Sequence, residues 1–320
     1  MASMKSIIGV DVGGTLLRAA RYDENLNQLE RVEQPTLASR GRDVVLDRLY
    51  ETIRQVLPER PEDLLGIGIA LPGPLDVQAG VLIAPPNLPL RDIPIVELVE
   101  QNVGGPVFIG NDADLAGLAE FTRGAGLGTS TMIYMTLSTG IGGGVIVDGK
   151  LRIGRGQGGE VGHMVIVPDG PMCGCGRRGH VEAVASGTAI ARIARERLQA
   201  GESSLVRDLV EGDLERVSAK VVAEAARAGD AMAREIFTQA GRYIGAHIAS
   251  LMMLLNPDMF VLGGGLTKAG PLLFDPLHEA VREYAMHPRY YENTAIVRAQ
   301  LGGEVGLVGA AALVRQRLGL

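Results

Sequence analysis

Apolar residues alternate with glycine-rich breaks along the first part of the chain. Ser6–Val10 is an apolar, β-branched run, a second one follows at Leu17–Tyr22, and Asp11-Val12-Gly13-Gly14-Thr15 lies between them. A Gly-Gly step between two such runs predicts a hairpin. Over Asp43–Leu57 the apolar residues Val44, Val45, Leu49, Ile53, Val56 and Leu57 keep a helical period that Pro58 stops. Leu65–Leu71 reads as a buried strand feeding the rigid turn Pro72-Gly73-Pro74. A short helix over Pro94–Asn102, a strand over Pro106–Ile109 and a helix over Asp112–Thr122 complete an alternation that predicts an α/β lobe.

The pattern then begins again. Thr131–Leu137 reads as a strand, Ser138-Thr139-Gly140-Ile141-Gly142-Gly143-Gly144 as a glycine-rich turn and Val145–Val147 as a strand closing on Asp148-Gly149. This repeats the layout of residues 6–22 and predicts an internal structural duplication. Beyond Ser186 the chain reads as mostly helical (Thr188–Gln199, Ser218–Ala228, Ala231–Leu254), with one strand at Met259–Leu262 running into Gly263-Gly264-Gly265. The expected division is a small lobe over residues 1–120, joined by a C-terminal helix at 305–320, and a large lobe over 121–304.

Composition narrows the functional classes. A chain of 320 residues, 46% apolar and 21% charged, can bury a large core, which excludes wholesale disorder. Its 44 glycines follow no three-residue period, which excludes collagen and points to backbone-lined sites of the kind that suit phosphate. A net charge of −6 with no Trp argues against nucleic-acid partners. The two cysteines, Cys173 and Cys175, allow no disulfide framework, so a reducing, cytoplasmic setting is expected. The apolar run in MASMKSIIGVDVGG is too short for a secretory core. Tyr243–Leu255, the longest apolar stretch, contains His247 and is shorter than the roughly 18 residues of a membrane span. It reads as a buried helix, and no membrane partner is expected.

Neither glycine turn has P-loop spacing, and the dinucleotide fingerprint fails because a strand follows Asp11 where a helix is required. Backbone N–H groups converging in a tight glycine turn are another phosphate device, to which Thr15 and Thr139 add hydroxyls. Either turn alone reads as an ordinary hairpin tip; their recurrence, with the third run at 263–265, favours phosphate. Asn111-Asp112 stands where a strand ends and a helix starts. Phosphoryl transfer to an alcohol needs a carboxylate there to orient the hydroxyl and take its proton, although on position alone Asp112 reads first as a helix N-cap. His163, Cys173, Cys175 and His180 could complete a tetrahedral structural zinc site. The alternatives are two buried cysteines beside solvated histidines, or a vicinal redox pair.

Taken together, Asp11-Val12-Gly13-Gly14-Thr15, Pro72-Gly73-Pro74-Leu75-Asp76, Asn111-Asp112, the 138–144 turn, Glu160-Val161-Gly162-His163 and Cys173-Gly174-Cys175-Gly176-Arg177-Arg178-Gly179 resemble the ROK family over nearly the whole chain. The resemblance implies an α/β, two-lobed actin/hexokinase-like (ribonuclease H-like) duplicated fold around an interlobe cleft, and a kinase that moves the ATP γ-phosphate to a hexose. It also implies that Asp112 is the catalytic base, that Asn111, Glu160, His163 and Glu182 hold sugar hydroxyls, and that Gly73 contributes backbone. Asn87 is a further sugar contact on a looser match. The loops at Gly13, Gly14 and Thr15, at Ser138, Thr139 and Gly140, and at Gly263, Gly264 and Gly265 would bind ATP, with Asp11 orienting Mg2+ or its water. His163 would serve zinc with one ring nitrogen and the sugar with the other. One departure stands out: the family pattern has Cys as the fourth zinc ligand where this chain has His180, so the knuckle over 163–180 must adjust to a longer reach.

The expected activity is phosphorylation of the 6-hydroxyl of glucose, with fructose, mannose, allose or N-acetylmannosamine as rival substrates. A sugar-sensing repressor would need a helix-turn-helix domain ahead of a first strand that here starts within a few residues of Met1. A non-catalytic sugar-sensing regulator is the remaining alternative. The apolar helices over 231–254 leave room for a homo-oligomer, dimer or tetramer.

Overall fold

The computed structural model describes residues 4–320; Met1, Ala2 and Ser3, part of the N-terminal stretch discussed above, lie outside them. Strands β1 (Ser6–Val12), β2 (Leu16–Asp23) and β3 (Gln28–Pro35) form a meander and are followed by helix α1 (Arg42–Arg54) and strand β4 (Leu64–Leu71). A small hairpin, β5 (Leu75–Asp76) and β6 (Val81–Leu82), precedes α2 (Ile95–Asn102), β7 (Val107–Asn111) and α3 (Asp112–Arg123). The second half opens with β8 (Met132–Leu137), β9 (Ile141–Val147) and β10 (Lys150–Leu151). Helices α4 (Val181–Ala185), α5 (Gly187–Gln199), α6 (Leu205–Leu209), α7 (Ala219–Arg227) and α8 (Ala231–Leu255) lead to β11 (Met259–Gly263). The chain ends with α9 (Pro271–Tyr284), α10 (Pro288–Glu292), β12 (Ala295–Arg298) and α11 (Val305–Leu318).

Both five-stranded sheets have the same topology. The first runs β3-β2-β1-β4-β7 and the second β10-β9-β8-β11-β12, so each orders its strands third, second, first, fourth, fifth. In the first, β1 pairs antiparallel with β2 and parallel with β4, and β4 pairs parallel with β7. In the second, β11 lies parallel to both β8 and β12. The expected duplication is therefore visible in strand order.

By internal packing the chain forms two compact units: one holds the chain up to Thr129, Gly144–Gly159 and Ala299–Leu320, the other Ser130–Gly143 and Glu160–Arg298. Residues 121–129, 144–159 and 299–304, assigned above to the large lobe, pack in the first unit. There Gly144 lies so close to Asp114 that a Cβ would sit 2.9 Å from its carbonyl oxygen, and the Leu151 amide donates to Gln316 Oε1 at 3.0 Å.

In the first unit the period-2 rule sorts the core onto two faces of the sheet. Ile8, Val10, Val12 and Leu17 join α1 and α2 on one side, while Ile7, Ala20 and Tyr22 join α3 and α11 on the other. Helix α11 comes very near the sheet because Gly9 and Gly68 have no side chain: a Cβ there would lie 2.2 Å from Leu307 O and 1.9 Å from Ala310 O. Strand β3, polar and largely exposed, closes the sheet edge with Glu30, Arg31 and Glu33.

In the second unit the apolar stretch 243–255 lies within α8, a buried helix packed along α9. Among the described residues no helix is long and apolar enough to cross a membrane. The expected turn over 138–144 is a correction: the turn covers only 138–140, closed by Ser138 N–H donating to Gly140 O at 2.9 Å, and Ile141 already begins β9. Glycine serves close packing in this strand, since a Cβ on Gly143 would lie 2.4 Å from Tyr134 O.

Candidate active site and metal knuckle

Two groups of expected site residues assemble in the first unit. Where β1 turns into β2, Gly13 N–H donates to Leu16 O at 2.9 Å, and the Thr36 hydroxyl donates to Gly13 O at 2.6 Å. Gly14 lies against the loop carrying Asn87, whose carbonyl oxygen would be 2.8 Å from a Cβ on Gly14, so residues 73 positions apart in sequence meet here (87 − 14 = 73). Thr15 is exposed at the tip. Asp11, at the end of β1, is ion-paired with Arg18 of β2, which also donates to Gly303 O at 2.7 Å. Sequence reasoning missed Arg18; its signal was an inward-facing cation opposite Asp11 in the hairpin register.

The second group lies at the end of β7. Asn111 is the N-cap of α3, its side chain accepting from Ala113 N at 2.9 Å. The capping role open to Asp112 thus belongs to its neighbour. Asp112 is the first residue of the helix and exposed, with Oδ1 accepting from Ala113 N at 2.8 Å. A carboxylate at that end of a helix is stabilised as the anion by the helix dipole. Gly73 sits beside this pair: a Cβ would be 3.2 Å from Asn111 Nδ2.

The second unit holds the remaining expected residues. A cavity of about 720 Å³ opens beside Ser138 and Thr139, with Gly265 on its wall. Ala191, Val217, Ala223 and Phe237 give it an apolar lining, and Arg195, Lys220, Arg227 and Lys268 bring positive charge. An apolar pocket with cations suits a flat heteroaromatic ring joined to phosphates. Gly187 and Thr188, at the start of α5, were missed: Gly187 N donates to Ser138 O at 2.8 Å and Thr188 N to Thr139 O at 3.1 Å, which joins a helix N-terminus to the turn. The Ser186-Gly187 capping pair was the available signal, since Ser186 accepts from Ala189 N at 3.2 Å. Of the third glycine run, Gly263 is buried inside β11, where a Cβ would lie 2.3 Å from Tyr134 Oη. Gly264, at φ 86°, and Gly265 are exposed.

Glu160 and His163 flank a single 3-10 turn, with Glu160 Oε2 lying 3.9 Å from His163 Nε2. The other edge of the His163 ring faces the knuckle: Nδ1 is 3.6 Å from Cys173 Sγ, and His180 Nδ1 is 3.3 Å from Cys175 Sγ. One donor atom from each of the four residues lies within 4.8 Å of all the others. Tetrahedral zinc with ordinary Zn–S and Zn–N bonds sets its ligand atoms about 3.3–3.8 Å apart, so this two-cysteine, two-histidine set fits such an ion with small adjustments. The knuckle accommodates the His180 imidazole by tight backbone turns, with Cys173 N donating to Arg177 O at 2.7 Å and Gly176 and Gly179 at φ 82° and 75°. Burial pushes the Cys173 thiol up to about 11; a coordinated cation reverses that preference by stabilising the thiolate.

Glu182 differs from a simple sugar ligand. Its Oε2 accepts from Ile141 N at 2.9 Å and its Oε1 from Cys173 Sγ at 3.3 Å, so it ties the knuckle to the start of β9. Each oxygen keeps capacity for another donor.

The chain belongs to the ROK family, whose model matches residues 7–317. Its α/β fold is actin/hexokinase-like, as in the solved ROK sugar kinases it resembles. It is 39% identical to a glucokinase of Thermotoga maritima, an alignment covering 98% of each protein. Among solved structures it resembles a ROK hexokinase from Thermus thermophilus (TM-score 0.85, 36% identity, 98% of this chain and 99% of that one). It also resembles a ROK family glucokinase from Streptomyces griseus in complex with glucose and AMPPNP (TM-score 0.77, 37% identity, 97% and 99% covered).

Proposed function

We propose that this protein is an ATP-dependent glucokinase, transferring the γ-phosphate of ATP to the 6-hydroxyl of glucose. The observation that carries this reading is the exposed Asp112 carboxylate on the first turn of α3, beside Asn111 and Gly73, in a chain 39% identical to a glucokinase along its whole length. On this reading Asp112 orients the hydroxyl and accepts its proton as the O6–P bond forms and the bond to ADP breaks. Asn87, Asn111, Glu160, His163 and Glu182 bind the other hydroxyls, Gly73 helping through its backbone. Acidic and amide side chains suit a neutral polyol, whose hydroxyls both donate and accept. The adenine and ribose occupy the cavity at Ser138, Thr139 and Gly265, and the phosphates meet the Gly13-Gly14-Thr15, 138–140 and Gly264-Gly265 backbones. Mg2+ at the phosphates would neutralise charge as it develops. The Arg18 partner on Asp11 favours a role for that carboxylate in holding a metal-bound water.

The test is an ADP-release assay across a panel of hexoses. Glucose is expected to give the highest kcat/KM, ahead of fructose, mannose, allose and N-acetylmannosamine. A different preferred hexose corrects the substrate, and no hexose-dependent release with any of them refutes the kinase reading.

Zinc is proposed for the knuckle, held by His163, Cys173, Cys175 and His180, where it would act structurally by fixing the His163 ring. His180→Ala is expected to lower bound zinc, measured by elemental analysis of the purified protein, by about tenfold or more and to weaken hexose binding with it. Unchanged metal content would exclude His180 as a ligand.

A further inference from the structure

Gly14 stands in the β1–β2 turn, half-exposed and with φ outside the left-handed region, so its own backbone would accept an alanine. What excludes one is a neighbour. A Cβ on Gly14 would lie 2.8 Å from the carbonyl oxygen of Asn87 and 3.0 Å from Asn87 Cβ. The missing side chain therefore lets a second loop settle against the turn. On Gly13, by contrast, a Cβ would meet Leu16 O at 3.1 Å, within the turn itself.

The two partners differ in stiffness. Thr36, fully buried, clamps the turn on either side of Gly14: its hydroxyl donates to Gly13 O at 2.6 Å and its N–H to Thr15 O at 2.8 Å. The opposing loop is closed at its neck, where Asp92 N donates to Ile83 O at 2.8 Å, and it buries Leu88 and Leu90. Between these anchors Pro85 and Pro86 have no N–H to give, and Asn87 is exposed. A methyl group on Gly14 would thus displace Asn87 rather than the turn.

We infer that Gly14 is a positioning residue for the hexose: its bare Cα sets where Asn87 stands, so that the turn expected to hold phosphate also fixes one of the sugar contacts. This rests on the reading of Asn87 as a hexose ligand. A misplaced hydrogen-bonding group loses affinity steeply, because geometry fixed before binding is part of the binding energy. Hexose affinity should therefore respond to Gly14 even with no nucleotide present, which a glycine serving phosphate alone would not show.

The test is calorimetric titration without nucleotide, using the hexose with the highest kcat/KM, on the full-length parent, Gly14→Ala, Asn87→Ala and the double variant. Each single substitution is expected to weaken binding about tenfold. The double variant should be no more than about twofold weaker than Asn87→Ala, since Gly14 acts through an amide already removed. A Gly14→Ala dissociation constant within about twofold of the parent overturns the inference, and so does a double variant showing the product of the two single losses. Parental affinity in Asn87→Ala removes Asn87 from the hexose contacts and the inference with it. A parent that binds no hexose of the panel defeats the kinase reading; a parent that binds, with Gly14→Ala indifferent, defeats only the role of Gly14.

Discussion

Asp112→Asn should leave a folded, sugar-binding protein whose kcat has fallen about a thousandfold, within the range that a general base contributes. The substitution is well controlled by its surroundings. Asn keeps an Oδ1 that can accept from Ala113 N, as Asp112 does at 2.8 Å, and the helix cap itself is Asn111. The anion and its capacity to take a proton are lost, and with them about 1 kcal/mol of favourable interaction with the helix dipole. Steady-state kinetics with a thermal melt separate the cases: a large loss in kcat at near-constant Tm and hexose KM supports the assignment, while a variant retaining a third of parental turnover places the base elsewhere.

A loss of stability is expected from Glu120→Leu. Glu120 is fully buried on α3 and accepts from three backbone amides, Ala125 N at 2.9 Å, Gln300 N at 2.9 Å and Leu301 N at 2.8 Å. These amides belong to the stretches through which the chain leaves the first unit, after Thr129, and returns to it at Ala299. Nothing larger than glycine fits beside the carboxylate, because a Cβ on Gly124 would lie 2.1 Å from Glu120 Oε2. Leucine fills the space and orphans all three donors at about 1–3 kcal/mol each, so the loss should reach at least about 3 kcal/mol. Glu120→Gln keeps one carbonyl oxygen but turns an NH2 toward an amide N–H, and should cost less. Differential scanning calorimetry should give Tm values in the order parent, Gln, Leu, with the Leu variant lower by roughly 6 °C or more. A Leu variant within about 2 °C of the parent would mean that the amides find other partners.

Much of this architecture is legible in local sequence because its signals are local. The Gly-Gly hairpin after Val12, the helical period before Pro58, the Asn111-Asp112 junction and the ligand types at 163, 173, 175 and 180 each depend on residues near one another. Strand β3 escaped because Gln28–Pro35 is mostly polar and sits at an edge, where of the half-buried residues Glu30, Val32 and Gln34 only Val32 is apolar. Gly142, Gly143 and Gly144 were taken for a turn because composition cannot distinguish a glycine that bends the chain from one that admits a neighbour such as Tyr134. Glu120 lay beyond sequence reasoning altogether, because it acquires its meaning from backbone amides distant along the chain, Gln300 N and Leu301 N.

Glu182 touches Cys173 with one oxygen and the first amide of β9 with the other. On the proposed reading, chelating the metal frees a sulfur whose nearest acceptor also steadies the phosphate turn. Protein prepared in metal-poor medium should then show weakened grip on ATP as well as on sugar, a deficiency of trace nutrient disguised as a defect in the energy donor.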